Sequence, residues 1–319
     1  MRTIGFVISE KENEKRRAVT IMDLKRIKNK GYVYLEKGYG EILGTSDEEY
    51  VKLGCNVVSK EEVLNCDIIC DPKIGDALYL KKLKNKIIFG WVHATQNYDI
   101  TESILIGKNT AVAWEKFYEG NRHSFYRNNE IAGQASVLHA ILCYGKIPNN
   151  TNVAILGNGN ISKGALSAFN MLGAKVTVYT SKMEELFKKE MYNYDVIVNC
   201  ILWDPTRKDH IIYKKDLKKF KPQTMIIDIS CDSNGGIESC VPTTIENPTY
   251  TIDNVLHYAV DHTPTLLYKD ATNSISEELI KYIDILIEEK ENENKILSEA
   301  LIIKDGIIID NEINEVQNR

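Results

Sequence analysis

The sequence of 319 residues is poor in several things, and each scarcity excludes a class of protein. No apolar run approaches the ~20 residues that a membrane-spanning helix needs. The opening run Thr3–Ile8 is strand-like and leads into a charged stretch, which is not the pattern of a secretory signal. Positive charge is not in excess. Lys and Arg number 40 against 45 Asp and Glu, a net charge of −5, so nothing points to nucleic acid or an anionic membrane. The seven cysteines fall at irregular spacings that make neither a disulfide framework nor a zinc ligand set, so no metal is expected. The nearest pair, Cys66 and Cys70, sits in an apolar run typical of a buried strand. A reduced, cytoplasmic protein is the expectation. Internal repeats and low-complexity linkers are lacking as well. What remains is 43% apolar residues, the composition of a soluble globular protein, in a chain long enough for two domains.

Among what is present, the stretch Asn152–Ala165 stands out. A short apolar run, Val153-Ala154-Ile155-Leu156, ends in Gly157-Asn158-Gly159-Asn160-Ile161-Ser162, and a helix of small residues follows and stops at Gly173. Strand, tight turn and helix N-terminus place a pyrophosphate on free backbone N–H groups. Gly157 permits the turn, Gly159 lets the backbone approach the phosphates, and Ser162 stands where a third glycine is usual. The following strand, Val176–Tyr179, leads into Thr180-Ser181-Lys182. A carboxylate here would bind the ribose 2′-hydroxyl of NAD. Two hydroxyls and a cation favour a 2′-phosphate instead, so the expected cofactor is NADP(H).

From Thr3 to Ala113, short apolar runs alternate with charged amphipathic segments. Strands are expected at Thr3–Ile8, Tyr32–Leu35, Asn56–Val58, Asp67–Cys70, Ile87–Trp91 and Thr110–Ala113, with helices at Thr20–Asn29, Asp47–Leu53 and Lys60–Leu64. Such alternation implies a parallel sheet covered on both faces. No glycine fingerprint follows its first strand, so this unit binds something other than the dinucleotide. One long helix is expected over Asn129–Gly145, with Ile131, Ala135, Leu138 and Leu142 as its apolar stripe. Strands then recur at Val153–Leu156, Val176–Tyr179, Val196–Cys200, Met225–Ile229 and Tyr250–Ile252. A second long helix is expected over Asn273–Glu289, capped by Ser274 or Ser276, and a hairpin turning at Asp305-Gly306. The division that follows is 1–128 with 274–319 as substrate domain and 129–273 as NADP-binding domain.

Three basic residues lie just past strand ends in the first unit, where open α/β sheets bind ligands: Arg16, Lys73 and His93. Singly, each has an ordinary reading as a surface charge, a loop lysine or a hydrogen-bonded histidine. Together they make a site for an anionic substrate, with the histidine as acid or base. In the second unit Asp228-Ile229-Ser230-Cys231-Asp232-Ser233-Asn234-Gly235-Gly236 follows a strand. Asp232 is the candidate there, against a local turn as the alternative. His257–Pro264 is read as a polar loop.

These segments match a known family in register over nearly the whole chain. Asn13-Glu14-Lys15-Arg16-Arg17-Ala18-Val19-Thr20, Asp67-Ile68-Ile69-Cys70-Asp71-Pro72-Lys73, Phe89-Gly90-Trp91-Val92-His93-Ala94, Ala113-Trp114-Glu115 and Glu130-Ile131-Ala132-Gly133 resemble the alanine dehydrogenase and pyridine nucleotide transhydrogenase family. Ile21 stands where that family usually has proline, and one extra residue precedes Gly235-Gly236. Alanine dehydrogenases also carry an acid at the position of Thr180 and are longer at the C-terminus. The opening Phe6–Arg17 and the stretch Val260–Pro264 resemble a small NADP-dependent branch of the family. The resemblance implies two Rossmann-like, doubly wound α/β domains with mainly parallel sheets, linked by two long helices. It implies Arg16 and Lys73 as substrate-binding residues and His93 and Asp232 as catalytic ones. Contacts to NADP(H) are implied for Gly157, Gly159, Asn160, Ile161, Ser162, Thr180, Ser181, Lys182, Cys200, Ile201, Ser230, His257 and His262. The implied reaction is an NADPH-dependent reductive condensation of pyruvate with the side-chain amine of ornithine or lysine, in a homo-oligomer, dimer or tetramer. Glu115 and Arg122 are candidates, by position, for the far end of the amino acid. The alternatives are an alanine dehydrogenase, a lysine-forming saccharopine dehydrogenase, and a non-catalytic NADP-sensing module.

Overall fold

A computed structural model describes residues 1–204, 207–232 and 235–319. Its strands in chain order are β1 (Ile4–Phe6), β2 (Val33–Glu36), β3 (Asn56–Val58), β4 (Ile68–Cys70), β5 (Ile87–Gly90), β6 (Thr110–Ala113), β7 (Tyr118–Glu119), β8 (Arg122–His123), β9 (Asn152–Leu156), β10 (Lys175–Tyr179), β11 (Val196–Asn199), β12 (Met225–Asp228), β13 (Thr249–Ile252), β14 (Val255–Tyr258), β15 (Leu301–Lys304) and β16 (Ile307–Ile308). The chain divides into two units, Met1–Phe125 with Tyr268–Arg319, and Tyr126–Leu267.

The first unit holds an eight-stranded sheet in the order β16-β15-β6-β5-β4-β1-β2-β3. The strands from β6 to β3 are parallel, and β15 runs antiparallel against β6. Side chains alternate between two cores. Ile4, Phe6, Ile68, Cys70 and Phe89 enter one, and Ile69 and Ile88 enter the other. Burial on both faces is why these strands read as continuous apolar runs. The helix expected over 20–29 is only Ile21–Leu24, because the N–H groups of Lys28 and Asn29 turn aside to the Asp284 carboxylate at 2.9 and 3.0 Å. The return helix runs Tyr268–Ile287, so Ser274 and Ser276 lie inside it and cap nothing. Ser276 instead accepts the Thr20 N–H at 2.8 Å and donates to Asp23 at 2.5 Å. Asp305 and Gly306 turn the hairpin with φ of 50° and 77°, as a two-residue turn demands.

The second unit holds six strands in the order β10-β9-β11-β12-β14-β13, with β13 alone antiparallel. The doubly wound order places a further strand outside the second one. Among the described residues no such strand is present, and β10 is the edge of the sheet. The first long helix runs Tyr126–Tyr144. Ile131, Ala135, Val137, Ala140 and Ile141 face inward, while Leu138 and Leu142 are exposed, which corrects the expected stripe. This helix meets the helix Asn160–Met171 backbone to backbone. A Cβ on Gly133 would stand 2.1 Å from the Ile161 carbonyl oxygen, and one on Gly164 1.9 Å from that of Glu130. Among the described residues no helix is long and apolar enough to cross a membrane, and no His, Cys, Asp and Glu cluster is arranged to hold a metal ion.

Candidate functional site

In the first unit the loops after β1, β4 and β5 are neighbours because those strands are neighbours. The loop after β1 is tied down by residues distant in sequence. The Tyr39 hydroxyl accepts the N–H groups of Ala18 and Val19 at 2.9 and 3.1 Å, and Thr272 accepts that of Arg17 at 2.9 Å. On this platform Arg16 is 3% exposed. Its Nε and Nη2 donate to the two oxygens of Glu14 at 2.8 and 2.6 Å, and its guanidinium lies 5.2 Å from the centre of the Trp91 ring. A forked carboxylate and an aromatic floor fix the guanidinium plane. Burial pushes the Glu14 pKa up, but the charge and hydrogen bonds of Arg16, with the charge of Lys73 behind them, hold it below the usual carboxylate range. Glu14 is a residue the sequence reading missed. Its signal was an acid two residues before an arginine in a segment with no helical pattern.

Lys73 is also buried, with Nζ 3.4 Å from Asp76. Its N–H donates to Asp71 at 2.8 Å, and the Tyr79 hydroxyl donates to the other oxygen of Asp71 at 2.7 Å. Burial pushes the Asp71 carboxyl up to about 6 despite these bonds, and the Glu14 charge adds to the push. The Lys73 loop and the His93 loop touch through backbone. A Cβ on Gly75 would stand 2.1 Å from the Val92 carbonyl oxygen, and one on Gly90 2.0 Å from that of Asp71. Only glycine permits this contact, so Lys73 and His93 are carried on one block. The His93 side chain is exposed, and its backbone is left-handed, with φ 55°. The Glu115 carboxylate accepts the Val92 N–H at 3.1 Å and the His93 N–H at 2.7 Å. One acceptor position on each Glu115 oxygen is thus taken by the protein's own backbone. Arg122 is exposed and pairs with Glu119 at 3.8 Å.

In the second unit β9 ends at Leu156 and leads into Gly157, φ 100°, where an added Cβ would stand 3.1 Å from the carbonyl oxygen of Cys200, just past β11. Gly159 caps the helix beginning at Asn160 and leaves its first N–H groups without a side-chain cap. Ser162 does more than stay small: it is buried, and its hydroxyl donates to the Gly157 carbonyl at 2.7 Å, closing the turn. A loop whose backbone N–H groups point outward at a helix N-terminus fits a dinucleotide pyrophosphate. Thr180 follows β10, with Ser181 and Lys182 exposed beside it. Ile201 follows Cys200, its N–H on the Asn199 side chain, and Ser230 donates to the Ile201 carbonyl, which ties the loops after β11 and β12 together.

Asp232 is partly buried. Burial and the charge of Asp228 push its carboxyl up to about 6, against a hydrogen bond from the Trp203 N–H. Asp228 is buried and accepts the Asn199 amide at 3.0 Å and the Cys231 N–H at 3.2 Å, a structural strand end. Ser233 and Asn234 of the same stretch lie outside the described residues. His262 is buried with Nδ1 2.5 Å from Asp261. His257 does not behave as a cofactor contact. It lies in β14, in a segment read as loop, and is 2% exposed. Its Nε2 bonds Ser239 at 2.7 Å and its Nδ1 the Val255 carbonyl at 3.0 Å, so neither ring nitrogen is left for a ligand.

Residues 6–127 match the family described as alanine dehydrogenase/PNT, N-terminal domain, and residues 170–312 match the alanine dehydrogenase/PNT, C-terminal domain. An N(5)-(carboxyethyl)ornithine synthase of Clostridium botulinum is 34% identical over 315 residues, which cover 90% of this chain and 98% of that protein. One from Lactococcus lactis is 31% identical over 299 residues, covering 88% and 95%. Alanine dehydrogenase 1 of Staphylococcus aureus is 25% identical, covering 95% and 93%. Among solved structures, an L-alanine dehydrogenase superposes with a TM-score of 0.81 at 19% identity over 99% of both chains. A transhydrogenase from Sinorhizobium meliloti gives 0.79 at 16% identity, covering 96% and 100%. With both of its domains matched and these full-length relatives, the chain belongs to the alanine dehydrogenase and pyridine nucleotide transhydrogenase family of oxidoreductases.

Proposed function

We propose that the protein catalyses the NADPH-dependent reductive condensation of pyruvate with the side-chain amine of ornithine, or of lysine, to give an N-(1-carboxyethyl) amino acid. The observation that carries this reading is the 34% identity to the Clostridium botulinum N(5)-(carboxyethyl)ornithine synthase over 98% of its length. The turn Thr180-Ser181-Lys182, with hydroxyls and a cation where NAD enzymes of the family carry an acid, supports NADP(H) as the cofactor.

In this reading the pyruvate carboxylate is held by Arg16 and Lys73. Glu14 pairs with Arg16 and Asp76 with Lys73, so each cation is held in place by a carboxylate of the protein. An alkyl amine is mostly protonated near pH 7, so it must lose a proton before it attacks the carbonyl carbon. His93 takes that proton and returns it to the carbinolamine oxygen as water leaves, since an imidazole moves a proton near neutral pH. Asp232, ionised above about pH 6, holds the amine and then the iminium by its charge. When bound, NADPH supplies the hydride that reduces the iminium carbon. The backbone N–H groups at Gly159–Ile161 would hold its pyrophosphate and Thr180, Ser181 and Lys182 its 2′-phosphate.

The test follows NADPH oxidation with pyruvate or 2-oxoglutarate against ornithine, lysine and ammonia, with the product identified by mass spectrometry. The condensed product from pyruvate and a diamino acid is expected. Turnover with ammonia and none with ornithine overturns the reading in favour of an alanine dehydrogenase.

A further inference from the structure

The geometry points to Glu115 as a positioning residue that holds His93 in its working place, an inference that rests on the role just given to His93. The strands β5 and β6 run side by side and parallel, and their hydrogen-bond ladder ends at the pair Gly90 and Ala113. Beyond it β5 has left the sheet at Trp91-Val92-His93, so the N–H groups of Val92 and His93 have no strand partner there. Glu115, two residues past the end of β6 in a single 3-10 turn, supplies both acceptors. One oxygen takes the Val92 N–H at 3.1 Å and the other the His93 N–H at 2.7 Å. The side chain thus extends the ladder by two rungs from a neighbouring strand.

This matters because of the backbone it holds. His93 sits at φ 55°, in the left-handed region that a side chain with a Cβ disfavours. Such a conformation persists only where the surroundings over-determine it. From the other side the same loop is pressed against Gly75, whose N–H donates to the Trp91 carbonyl at 3.2 Å and which leaves no room for a Cβ beside the Val92 oxygen. Gly75 bounds the loop and Glu115 pulls it by its N–H groups, so the direction in which the imidazole leaves the backbone is set by both. Each of the two N–H donors has its own carboxylate oxygen. A glutamine would meet one of them with its own NH2, donor against donor.

The test is a double-mutant cycle on the full-length protein, with Glu115→Gln and His93→Ala, using whichever oxo acid and amine the unmodified protein turns over. Glu115→Gln is expected to lower kcat about 100-fold, the order of loss from misplacing a catalytic group by about 1 Å. The KM values and cofactor affinity should stay within about twofold. In the His93→Ala background the same change should lower kcat by less than about threefold, because a residue acting through His93 has nothing left to position. Multiplicative losses overturn the inference, as does near-normal kcat in Glu115→Gln. A readout independent of turnover is the NMR signal of the His93 ring, identified by its disappearance in His93→Ala. Of the six histidines, His93 should shift in Glu115→Gln, and so should His123, which feels the Glu115 charge directly, while the other four stay. An unmoved His93 signal overturns the inference even if the unmodified protein turns over none of the substrates, the result that would sink the functional reading instead. If Glu115→Gln does not fold, Glu115→Asp, too short to reach both N–H groups, replaces it in both arms with the same expectations.

Discussion

The two sheets end in the same way, with parallel strands whose carboxyl ends open into loops, yet they arm those ends by opposite means. In the first unit the loops after β1, β4 and β5 carry long side chains, Arg16, Lys73 and His93, and each loop is tied by a carboxylate, Glu14 and Asp71 from within the same loop and Glu115 from beyond the end of β6. In the second unit the loop after β9 carries little side chain at all. Gly157, Gly159 and Ser162 shape the backbone so that its own N–H groups face outward. A fixed array of backbone donors suits a diphosphate whose chemistry never changes. Proton transfer needs groups that titrate, which backbone lacks. The comparison teaches that this sheet edge is a neutral mount and that loop composition decides what is mounted on it.

The sharpest break of the comparison is His93→Ala. Turnover should fall by roughly two to four orders of magnitude, the range of general acid–base catalysis, while cofactor affinity measured by fluorescence titration stays put. A folded variant with near-normal turnover removes His93 from the chemistry. Next in size, Thr180→Asp places a carboxylate against the 2′-phosphate. The ratio of kcat/KM for NADPH over NADH should drop by about 10- to 100-fold, the worth of a hydrogen bond to a charged group. Equal use of both cofactors by the unmodified protein would mean that the turn is not a 2′-phosphate site. Lys73→Ala should raise the apparent KM for pyruvate by about tenfold with kcat nearly kept, since the carboxylate contact exists in ground and transition states alike.

A pH profile sharpens the comparison further. The Asp232 carboxyl is pushed up to about 6, so it is ionised above that pH and neutral below it. If its charge holds the amine, turnover should be halved near pH 6 and fall by about tenfold per unit below it. Asp71 is also pushed up to about 6, and His93 must be neutral to act as the base, so Asp232→Asn should remove only the part of the limb that belongs to Asp232. The smallest effect is expected for Ser162→Ala. It deletes one hydrogen bond that closes the glycine turn, about 1 kcal/mol, so the cofactor Kd should rise about fivefold with His93-dependent chemistry untouched.

The sequence made much of this legible, for physical reasons. Buried parallel strands announce themselves as apolar runs, and the runs at Asn56–Val58 and Thr110–Ala113 are strands to the residue. The glycine turn was legible because only a few residue types tolerate its backbone. What was hidden depends on partners far along the chain. The strand β14 carries a histidine in its middle, which reads as loop until Ser239 is seen accommodating its ring. The helix expected over 20–29 ends early because of Asp284, more than two hundred residues away. Glu14 and Asp71 escaped notice because a lone carboxylate two residues from its partner leaves no periodic trace. Glu115 was named only as a candidate substrate contact, because its partners, the N–H groups of Val92 and His93, lie on the preceding strand's loop.

The position of β10 at the edge of its sheet has a consequence for handling the protein rather than for its chemistry. An edge strand offers an unpaired row of backbone donors and acceptors to any other chain, and a short β-branched segment such as Lys175-Val176-Thr177-Val178-Tyr179 is well suited to accept such an offer. What guards it is the exposed Lys175 at its start, a charge that two like edges cannot bring together without repulsion. Solubility at high concentration and tolerance to long storage thus hang in part on one surface lysine, and preparations in which Lys175 is acetylated or exchanged for an uncharged residue will cloud first.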